Sequence, residues 1–184
     1  MAMNPASRLN LIEQLKAHTM KREYVAYVEG RSTVSKGTWC QWLQLSHDEL
    51  RQHIVPEPKL KSKAGGAESV EAITHFEVIA EYPLPDGKGF VTKLRIRLET
   101  GRKHQIRVQA AHARLPLVGD RTYNPNYHAS SRSRAPIDFP RQALHAEVLS
   151  LEHPAYPGKR MTWTAALPKD LRQLETGLRI KTPK

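Results

Sequence analysis

The chain has 184 residues, of which 39% are apolar and 26% charged, and its formal net charge at pH 7 is +11. This composition excludes a disordered or fibrous chain, because a sequence of this length can bury a substantial apolar core. A single cysteine, Cys40, excludes an internal disulfide and a multi-cysteine metal site and favours a reducing, cytoplasmic compartment. The sequence has no apolar run of membrane length and no leader pattern, so no membrane partner is expected.

The positive charge is concentrated in the second half of the chain. Residues 1–88 contain 11 basic and 11 acidic side chains, whereas residues 89–184 contain 18 basic and 7 acidic ones. Charge separated in this way creates a positive field over one part of the surface and predicts a polyanionic partner. Nucleic acid fits better than an anionic membrane, because no segment combines an apolar face with a lysine-rich face. Charge alone does not distinguish RNA from DNA.

The first half of the chain predicts a helix followed by β-structure. Asn4 and Pro5 are typical of a helix start, and apolar residues then recur at helical spacing up to about His18. Segments dense in β-branched and aromatic residues, bounded by turn residues, predict strands and hairpins. The elements predicted after the helix are a strand over 24–28, its hairpin partner over 39–45, an exposed loop over 56–69, and a second hairpin of strands 73–80 and 90–99 with its turn at 85–87.

Alternating apolar and basic residues mark the last of these strands. Lys93, Arg95 and Arg97 alternate with apolar residues, which predicts one core face and one basic face. A glycine turn at Gly101 then leads into a predicted helix. The remaining predicted elements are that helix over 103–113, an exposed loop over 124–141, strands over 144–151 and 160–165, and a helix over 168–175 that ends before Gly177. The sequence thus predicts an α+β fold with a mixed, mainly antiparallel sheet and flanking helices, in one domain over 1–184.

The segment from Gly101 to Arg107 brings several hydrogen-bond donors together at the start of the predicted helix. A helix N-terminus carries free N–H groups and a positive dipole end suited to phosphate, and Arg102 and Lys103 add charge. Arg107 lies about one and a half turns further on and could point inward toward a carboxylate. Charge and spacing alone slightly favour the simpler interpretation of an ordinary solvated helix.

Longer motifs change that balance. The run over 98–108, which contains Gly-Arg-Lys-His-Gln-Ile-Arg, is followed by Pro-Leu-Val-Gly-Asp at 116–120 and by Tyr123, and it is preceded by a tyrosine-bearing strand over 22–30. In this order the motifs resemble the RNA pseudouridine synthases of the ribosomal large-subunit and tRNA type. Further short motifs at 72–76, 144–146, 153–154 and 167–168 extend the resemblance over almost the whole chain.

The resemblance implies isomerisation of uridine to pseudouridine in ribosomal or transfer RNA, with neither cofactor nor metal. In that family an aspartate attacks the nucleoside, a tyrosine packs against the base and an arginine pairs with the aspartate. Tyr24 matches the tyrosine and Arg107 matches the arginine. The residues expected to contact RNA phosphates are Arg95, Arg97, Arg102, Lys103, His104 and Arg121.

One family motif has no counterpart here. The nucleophilic aspartate of the family lies in a His-Arg-Leu-Asp loop before the tyrosine strand, and this sequence has no aspartate before Asp48. The chain therefore resembles the C-terminal part of the catalytic domain with its leading portion absent, and we expect it to be inactive alone. Either an upstream segment or a second chain supplies the missing strands and aspartate, or the chain is a noncatalytic RNA-binding module that kept the scaffold.

Overall fold

The computed structural model describes residues 4–58, 68–84, 87–127 and 135–180, which together form one seven-stranded sheet and three helices. All strand pairs in this sheet are antiparallel. The predicted α+β class with a mainly antiparallel sheet is thus confirmed. The elements are α1 (Pro5–Lys16), β1 (Lys21–Glu29), β2 (Lys36–Leu45), β3 (Gln52–Val55), β4 (Ser69–Pro83), β5 (Phe90–Leu98), α2 (Gln105–His112), β6 (Leu144–Glu152), β7 (Arg160–Thr164) and α3 (Lys169–Ile180).

Strand β1 lies inside the sheet, whose strand order is β3-β2-β4-β5-β1-β6-β7. Residues 25–28 of β1 are all buried, and its backbone groups need partners on both edges because no water can reach them. Strands β5 and β6 supply those partners. The predicted hairpin between 24–28 and 39–45 is therefore wrong, because β2 pairs with β3 and β4 instead.

The second predicted hairpin is confirmed. Strands β4 and β5 pair from Thr74 opposite Leu98 to Pro83 opposite Phe90, with a bulge between Val78 and Ala80. The turn is closed by a 2.9 Å bond from the Gly87 N–H to the Leu84 carbonyl, while residues 85 and 86 lie outside the described residues. This hairpin gives β5 the register that sends its apolar and basic residues to opposite faces.

The helices agree with the sequence in position and differ in length. Helix α1 begins as predicted, with the Asn4 side chain accepting a 2.8 Å bond from the Ser7 N–H. Helix α3 runs through Gly177, where an end was predicted, and continues to Ile180. Its buried Leu171 and Leu178 lie on one side of the helix, and their burial outweighs the unfavourable helix propensity of one glycine. None of the described helices is long and apolar enough to cross a membrane.

The two faces of the sheet are covered by different helices. On the side that we call the α2 face, Ala26, Leu94 and Ile96 pack with Ile106 of α2. On the opposite side, the α3 face, Val25 and Tyr27 pack with leucines of α3. Successive residues of β1 alternate between these faces, as the strand period requires. Tyr24 therefore lies on the α2 face.

The two segments predicted as exposed loops are only partly described. Residues 59–67 and 128–134 lie outside the described residues, so those parts of the predictions remain predictions. In the described part of the second segment, Asn124 and Phe139 are buried, so exposure is wrong at these two positions. Asn124 donates to the Leu117 carbonyl, and Phe139 packs into the core on the α3 face. A short strand, β3, was not predicted because its sequence, Gln-His-Ile-Val, does not alternate between apolar and polar residues.

Candidate active site

A buried glutamine builds the corner between β5 and α2. The Gln105 Oε1 accepts bonds of 2.9 Å from the Arg102 N–H and 3.0 Å from the Thr100 hydroxyl. Its Nε2 donates to the Ile73 carbonyl at 3.0 Å and to the Thr74 hydroxyl at 2.9 Å. The corner is thereby fixed to β4 through one fully bonded amide. Buried polar groups with complete sets of partners hold a loop in a single geometry.

A second glutamine repeats this arrangement one turn later. Gln109 accepts a 2.6 Å bond from the Thr74 hydroxyl and donates to the Ala72 carbonyl at 2.9 Å and to the Gln41 side chain at 2.7 Å. Sequence reasoning missed both glutamines, although their spacing of four residues places them on one helix side. Together they hold α2 against β4 and set the direction in which its other side chains point.

Arg107 of α2 points inward and pairs with Asp120. Its Nε donates to Asp120 Oδ2 at 2.7 Å and its Nη2 to Oδ1 at 2.6 Å, while the Asp120 side chain is 1% exposed. Oδ1 also accepts from the backbone N–H groups of Thr122 and Tyr123. Burial raises the pKa of Asp120, but the bonds from Arg107 and these amides outweigh it and hold the pKa below its usual value. The same pairing raises the pKa of Arg107, so both groups stay charged.

Tyr123 extends this pair toward the start of α2. The Arg107 guanidinium lies 5.0 Å from the centre of the Tyr123 ring, a cation–π distance. The Tyr123 hydroxyl accepts a 2.8 Å bond from the Gln52 N–H and lies 3.0 Å from His104 Nδ1. Burial, together with the charges of Arg107 and Lys103, lowers the pKa of His104, so its ring is neutral and can accept the Tyr123 proton at Nδ1.

Tyr24 lies on the same sheet face as α2. It stands opposite Ile96 of β5 and Ala146 of β6 and packs at the edge of the cluster that contains Ile106. Tyr24 is half-buried, and its neighbour Ala146 on β6 is exposed. Arg107 directly follows Ile106 in α2. The structure thus places Tyr24 and helix α2, which carries Arg107, on the same face of the sheet.

Arg22 is a further residue of this region that the sequence did not reveal. It precedes Tyr24 by two positions and shares its face, and its side chain lies against Gly101. A Cβ at position 101 would come within 2.1 Å of Arg22 Nη1, so the glycine is what allows this approach. The Arg22 Nε is buried and has no hydrogen-bond partner among the described residues.

A family model described as RNA pseudouridylate synthase matches residues 1–112, which include Tyr24, Gly101 and Arg107. The chain belongs to this family. Its similarity to curated members includes 36% identity over 178 residues to ribosomal large subunit pseudouridine synthase D of Pasteurella multocida, covering 94% of this chain and 49% of that protein. The enzyme of the same name from Yersinia pestis is 36% identical over 181 residues, covering 96% of this chain and 50% of that protein. The chain spans about half the length of the curated relatives it matches.

Solved structures of the family show the same fold. Human RNA pseudouridylate synthase domain containing 1 superposes with a TM-score of 0.65 at 21% identity, covering all of this chain and 75% of that chain. Human RNA pseudouridylate synthase domain containing 4 gives the same TM-score at 18% identity, covering 96% of this chain and 69% of that chain. At these identities the comparison supports the fold of the pseudouridylate synthase domain.

The six basic residues expected to contact RNA divide between the two sheet faces. Arg102, Lys103 and Arg121 are exposed around the α2 corner and the turn after Asp120. His104 lies with them but is half-buried against Tyr123, which favours a positioning role over a phosphate contact. The structure places the other two, Arg95 and Arg97, on the opposite α3 face, where Arg95 lies 3.8 Å from Glu77.

A nucleophilic aspartate would have to lie beside Arg107, and the described residues contain four aspartates. Asp48 is exposed and accepts bonds from the Ser46 hydroxyl and the Leu50 N–H, Asp138 is exposed, and Asp170 pairs with Arg141. Asp120 is the one aspartate among the described residues that contacts Arg107, and four hydrogen bonds hold it in a buried site. Its carboxylate positions Arg107 and is too deeply buried for a substrate carbon to reach it.

Proposed function

We propose that this chain forms most of a uridine-binding site in an RNA pseudouridine synthase that modifies large-subunit ribosomal RNA. The observation that carries the proposal is the placement of Tyr24 on the same sheet face as the buried Arg107–Asp120 pair, with Tyr24 and Arg107 inside the segment 1–112 that matches the family. The named activity of the curated relatives supports the reaction and the RNA class.

The reaction moves a base without any change of oxidation state. The bond from N1 of uracil to C1′ of ribose breaks, a bond from C5 to C1′ forms, C5 loses a proton and N1 gains one. A carboxylate nucleophile must be held beside the nucleoside, and the base must be kept against a flat surface while its bonds change. Extrusion of the base from its stack costs a few kcal/mol, which contacts in the site must offset.

Arg107 is suited to hold that carboxylate. Its described bonds use Nε and Nη2 toward Asp120, so Nη1 and the second proton of Nη2 remain for another acceptor. Asp120 fixes the guanidinium plane, which keeps those donors aimed in one direction. Tyr24, which is half-buried beside the exposed Ala146, would offer the flat surface for the base and a hydroxyl for proton transfer from C5.

The nucleophile itself has no candidate among the described residues. We therefore propose that residues 1–184 bind RNA but do not isomerise uridine until a segment with the family's His-Arg-Leu-Asp loop, on this chain or another, is present. A second candidate function is a noncatalytic RNA-binding module, because no aspartate of the described residues is placed to attack the nucleoside. The exposed basic corner of Arg102, Lys103 and Arg121 would serve either function, because it can neutralise phosphates in both cases.

The deciding experiment measures tritium release from ribosomal RNA labelled at C5 of uridine, since C5 gives up its hydrogen in the reaction. Residues 1–184 are tested alone and fused to the loop-bearing segment of the Pasteurella relative. We expect RNA binding from both, and tritium release from the fusion only. Tyr24→Phe in the fusion should abolish release and leave RNA binding intact.

Two results would overturn parts of this proposal. Release by residues 1–184 alone would mean that one of their own side chains acts as the nucleophile. A fusion that binds the RNA with wild-type Tyr24 and Arg107 yet releases nothing would favour the noncatalytic module. Trp163→Phe is a suitable control in the fusion, because this exposed aromatic residue lies on β7 and is assigned no role in the reaction.

A further inference from the structure

The Arg22 side chain is half-buried and has no counter-charge among the described residues. No hydrogen bond or ion pair of the described residues involves its guanidinium, and Nε is enclosed without a partner. Nε is therefore out of reach of a ligand, whereas Nη1 and Nη2 are neither bonded nor enclosed and remain accessible. A half-buried charge without a counter-charge is unfavourable, so these two nitrogens indicate an anion from outside the described residues.

Nη1 and Nη2 of Arg22 lie against an exposed turn. They are 2.1 Å and 3.2 Å from the position that a Cβ at residue 101 would take, and Gly101 itself is exposed. The guanidinium thus lies at a solvent-exposed part of the β5–α2 corner, where an anion can contact its accessible nitrogens. Two N–H donors of one guanidinium match two oxygens of one phosphate.

Two neighbouring cations are less free than Arg22. Arg102 Nε donates to the Glu71 carbonyl at 3.3 Å, and Lys103 Nζ donates to the Glu49 carbonyl. Both side chains are exposed and add positive charge to the corner, which favours an anion there. Unlike these two residues, Arg22 gives up no bond within the chain when an anion binds.

Arg22 also lies beside the surface proposed for the uracil base. It precedes Tyr24 by two positions of β1 and shares its face, so the Cα atoms of the two residues are about 7 Å apart. In a nucleotide chain one ribose separates a base from the phosphates on either side of it, which is a similar span. A base that rests on Tyr24 therefore brings an adjoining phosphate within reach of the long Arg22 side chain.

We propose that Nη1 and Nη2 of Arg22 bind a phosphate adjoining the uridine whose base rests on Tyr24. This inference rests on the proposed function, which places the base there. The phosphate contact would hold the nucleotide at a second point, so that the ribose carbon that changes its bond is kept in one position. Arg22 is thus assigned a role in binding and orientation, and it takes no part in proton transfer.

Nuclear magnetic resonance titrations of residues 1–184 with uridine, uridine 5′-monophosphate, uridine 3′-monophosphate and inorganic phosphate test the contact. We expect the better of the two monophosphates to bind about tenfold more tightly than uridine, the effect of one charge-assisted contact, and to shift the Gly101 amide signal. Equal affinities for uridine and both monophosphates would overturn the proposal. Inorganic phosphate that binds as tightly as the better monophosphate would mean an adventitious ion only and would overturn it too.

Variants show whether the gain depends on Arg22. Arg22→Gln should abolish the tenfold gain and leave the affinity for uridine unchanged. Gly101→Ala displaces the guanidinium without changing Arg22 and should reduce the same gain. Lys21→Gln is the matched control, because it removes the adjacent exposed charge from the opposite face of β1, and it should keep the gain. A gain that survives Arg22→Gln would contradict the proposed contact.

The fusion described above separates this contact from a different role of Arg22, an ion pair with a carboxylate of the loop-bearing segment. In that case Arg22→Gln would lower tritium release and leave the nucleotide affinities unchanged, which would overturn this inference. A gain that does not depend on Arg22, in a fusion that releases tritium, would overturn this inference alone. A gain that depends on Arg22, in a fusion that releases no tritium, would overturn the proposed function alone.

Discussion

The Tyr27 hydroxyl on β1 donates a 2.8 Å hydrogen bond to Glu175 on α3 and so joins the centre of the sheet to that helix. The same carboxylate accepts a 3.0 Å bond from Tyr82 and a 3.0 Å ion-pair bond from Lys93, and Arg179 reaches it from the next turn. Its side chain is 12% exposed. One buried carboxylate therefore satisfies three donors of the sheet.

Replacing this carboxylate should loosen α3. Glu175→Gln leaves Lys93, which is 19% exposed, without its counter-charge, and it removes one acceptor from the two tyrosines. We expect a loss of about 2 kcal/mol in the free energy of unfolding, measured by urea denaturation. Arg179→Ala is the control: its side chain is 67% exposed, so the change should cost clearly less than Glu175→Gln. Equal effects of the two variants would contradict this account.

The same network predicts a loss of stability in acid. Burial raises the pKa of Glu175, but bonds from Lys93, Tyr27, Arg179 and Tyr82 outweigh it and lower the pKa from 4.5 to about 2. A depressed carboxyl pKa stabilises the folded state fully above the unfolded value, and this stabilisation falls as pH drops from about 4.5 toward 2. The difference in unfolding free energy between wild type and Glu175→Gln should shrink over that window.

Glu29 should show the opposite pH dependence. Burial raises its pKa above 4.5, although bonds from Asn126 and Asn124 act against the shift, and its Oε1 has no partner among the described residues. A raised carboxyl pKa means that the folded state binds the proton more tightly, so stability rises as pH falls through the folded pKa. Glu29→Gln should therefore stabilise the protein by about 1 kcal/mol at pH 7, with no gain below pH 4.

Thermal unfolding at several pH values checks this prediction. Glu13→Gln, at an exposed position of α1, is the matched control and should change stability by less than about 0.5 kcal/mol at any pH. A Glu29→Gln variant less stable than wild type at pH 7 would show that the carboxylate is satisfied in solution.

Two arginine–aspartate pairs of like geometry allow a test of burial. Asp120→Asn weakens the buried pair with Arg107, whose side chain is 13% exposed, and we expect a loss of about 2–3 kcal/mol in unfolding free energy. Asp170→Asn weakens the more exposed pair of Asp170 and Arg141. The Arg141 side chain is 37% exposed and the Asp170 side chain 34%, so this change should cost at most about 1 kcal/mol. Chemical denaturation of both variants measures the two losses in unfolding free energy. Losses of similar size would contradict the expectation that burial makes the Arg107–Asp120 pair the stronger one.

Glycines at two turns should differ strongly when changed to alanine. Gly119 has a φ of +74°, and a Cβ there would lie 2.0 Å from the Arg141 carbonyl oxygen, which is backbone. Gly119→Ala should cost at least about 2 kcal/mol and displace Asp120. Gly101→Ala meets only the flexible end of Arg22, so a smaller loss is expected. Melting temperatures of both variants show which glycine is less tolerant of alanine. A larger decrease for Gly101→Ala than for Gly119→Ala would contradict this prediction and would mean that Arg22 cannot move aside.

Binding of large-subunit ribosomal RNA at several salt concentrations tests the basic corner. If Arg102 contacts a phosphate, Arg102→Ala should reduce the slope of log affinity against log salt by about 1, because one fewer counterion is released. Arg95→Ala is the matched comparison, because it removes the same charge from the opposite α3 face and Arg95 was also expected to contact RNA. An unchanged slope for Arg102→Ala would remove this residue from the RNA surface.

The sequence predicted most elements because their signals are local. The Asn4 cap, the alternation in β5 and the turn before it each depend on neighbouring residues. The partner of β1 could not be predicted in the same way, because pairing order depends on contacts with β6, more than a hundred residues away. Trp163 lies in the predicted strand over 160–165 and is 49% exposed, since β7 is an edge strand with a neighbour on only one side.

The site was predictable to a different degree. Tyr24 and Arg107 were identified by their motifs, whereas Gln105 and Gln109 were missed because a buried amide has no signature in hydropathy. Asp120 was recognised only as the end of the Pro-Leu-Val-Gly-Asp motif, and its role as the partner of Arg107 depends on how the 116–123 segment folds back on α2. Tertiary hydrogen bonds of this kind are visible only in three dimensions.

Strand β1 has a neighbouring strand on each edge and a helix against each face. Opening it requires most of the molecule to open, so its amide protons should be among the slowest to exchange with solvent. Tyr24 is thus carried by the least deformable part of the chain. Adjustment to different RNA shapes must therefore come from the exposed basic corner, and substitutions there can alter target choice without disturbing the surface on which the base rests.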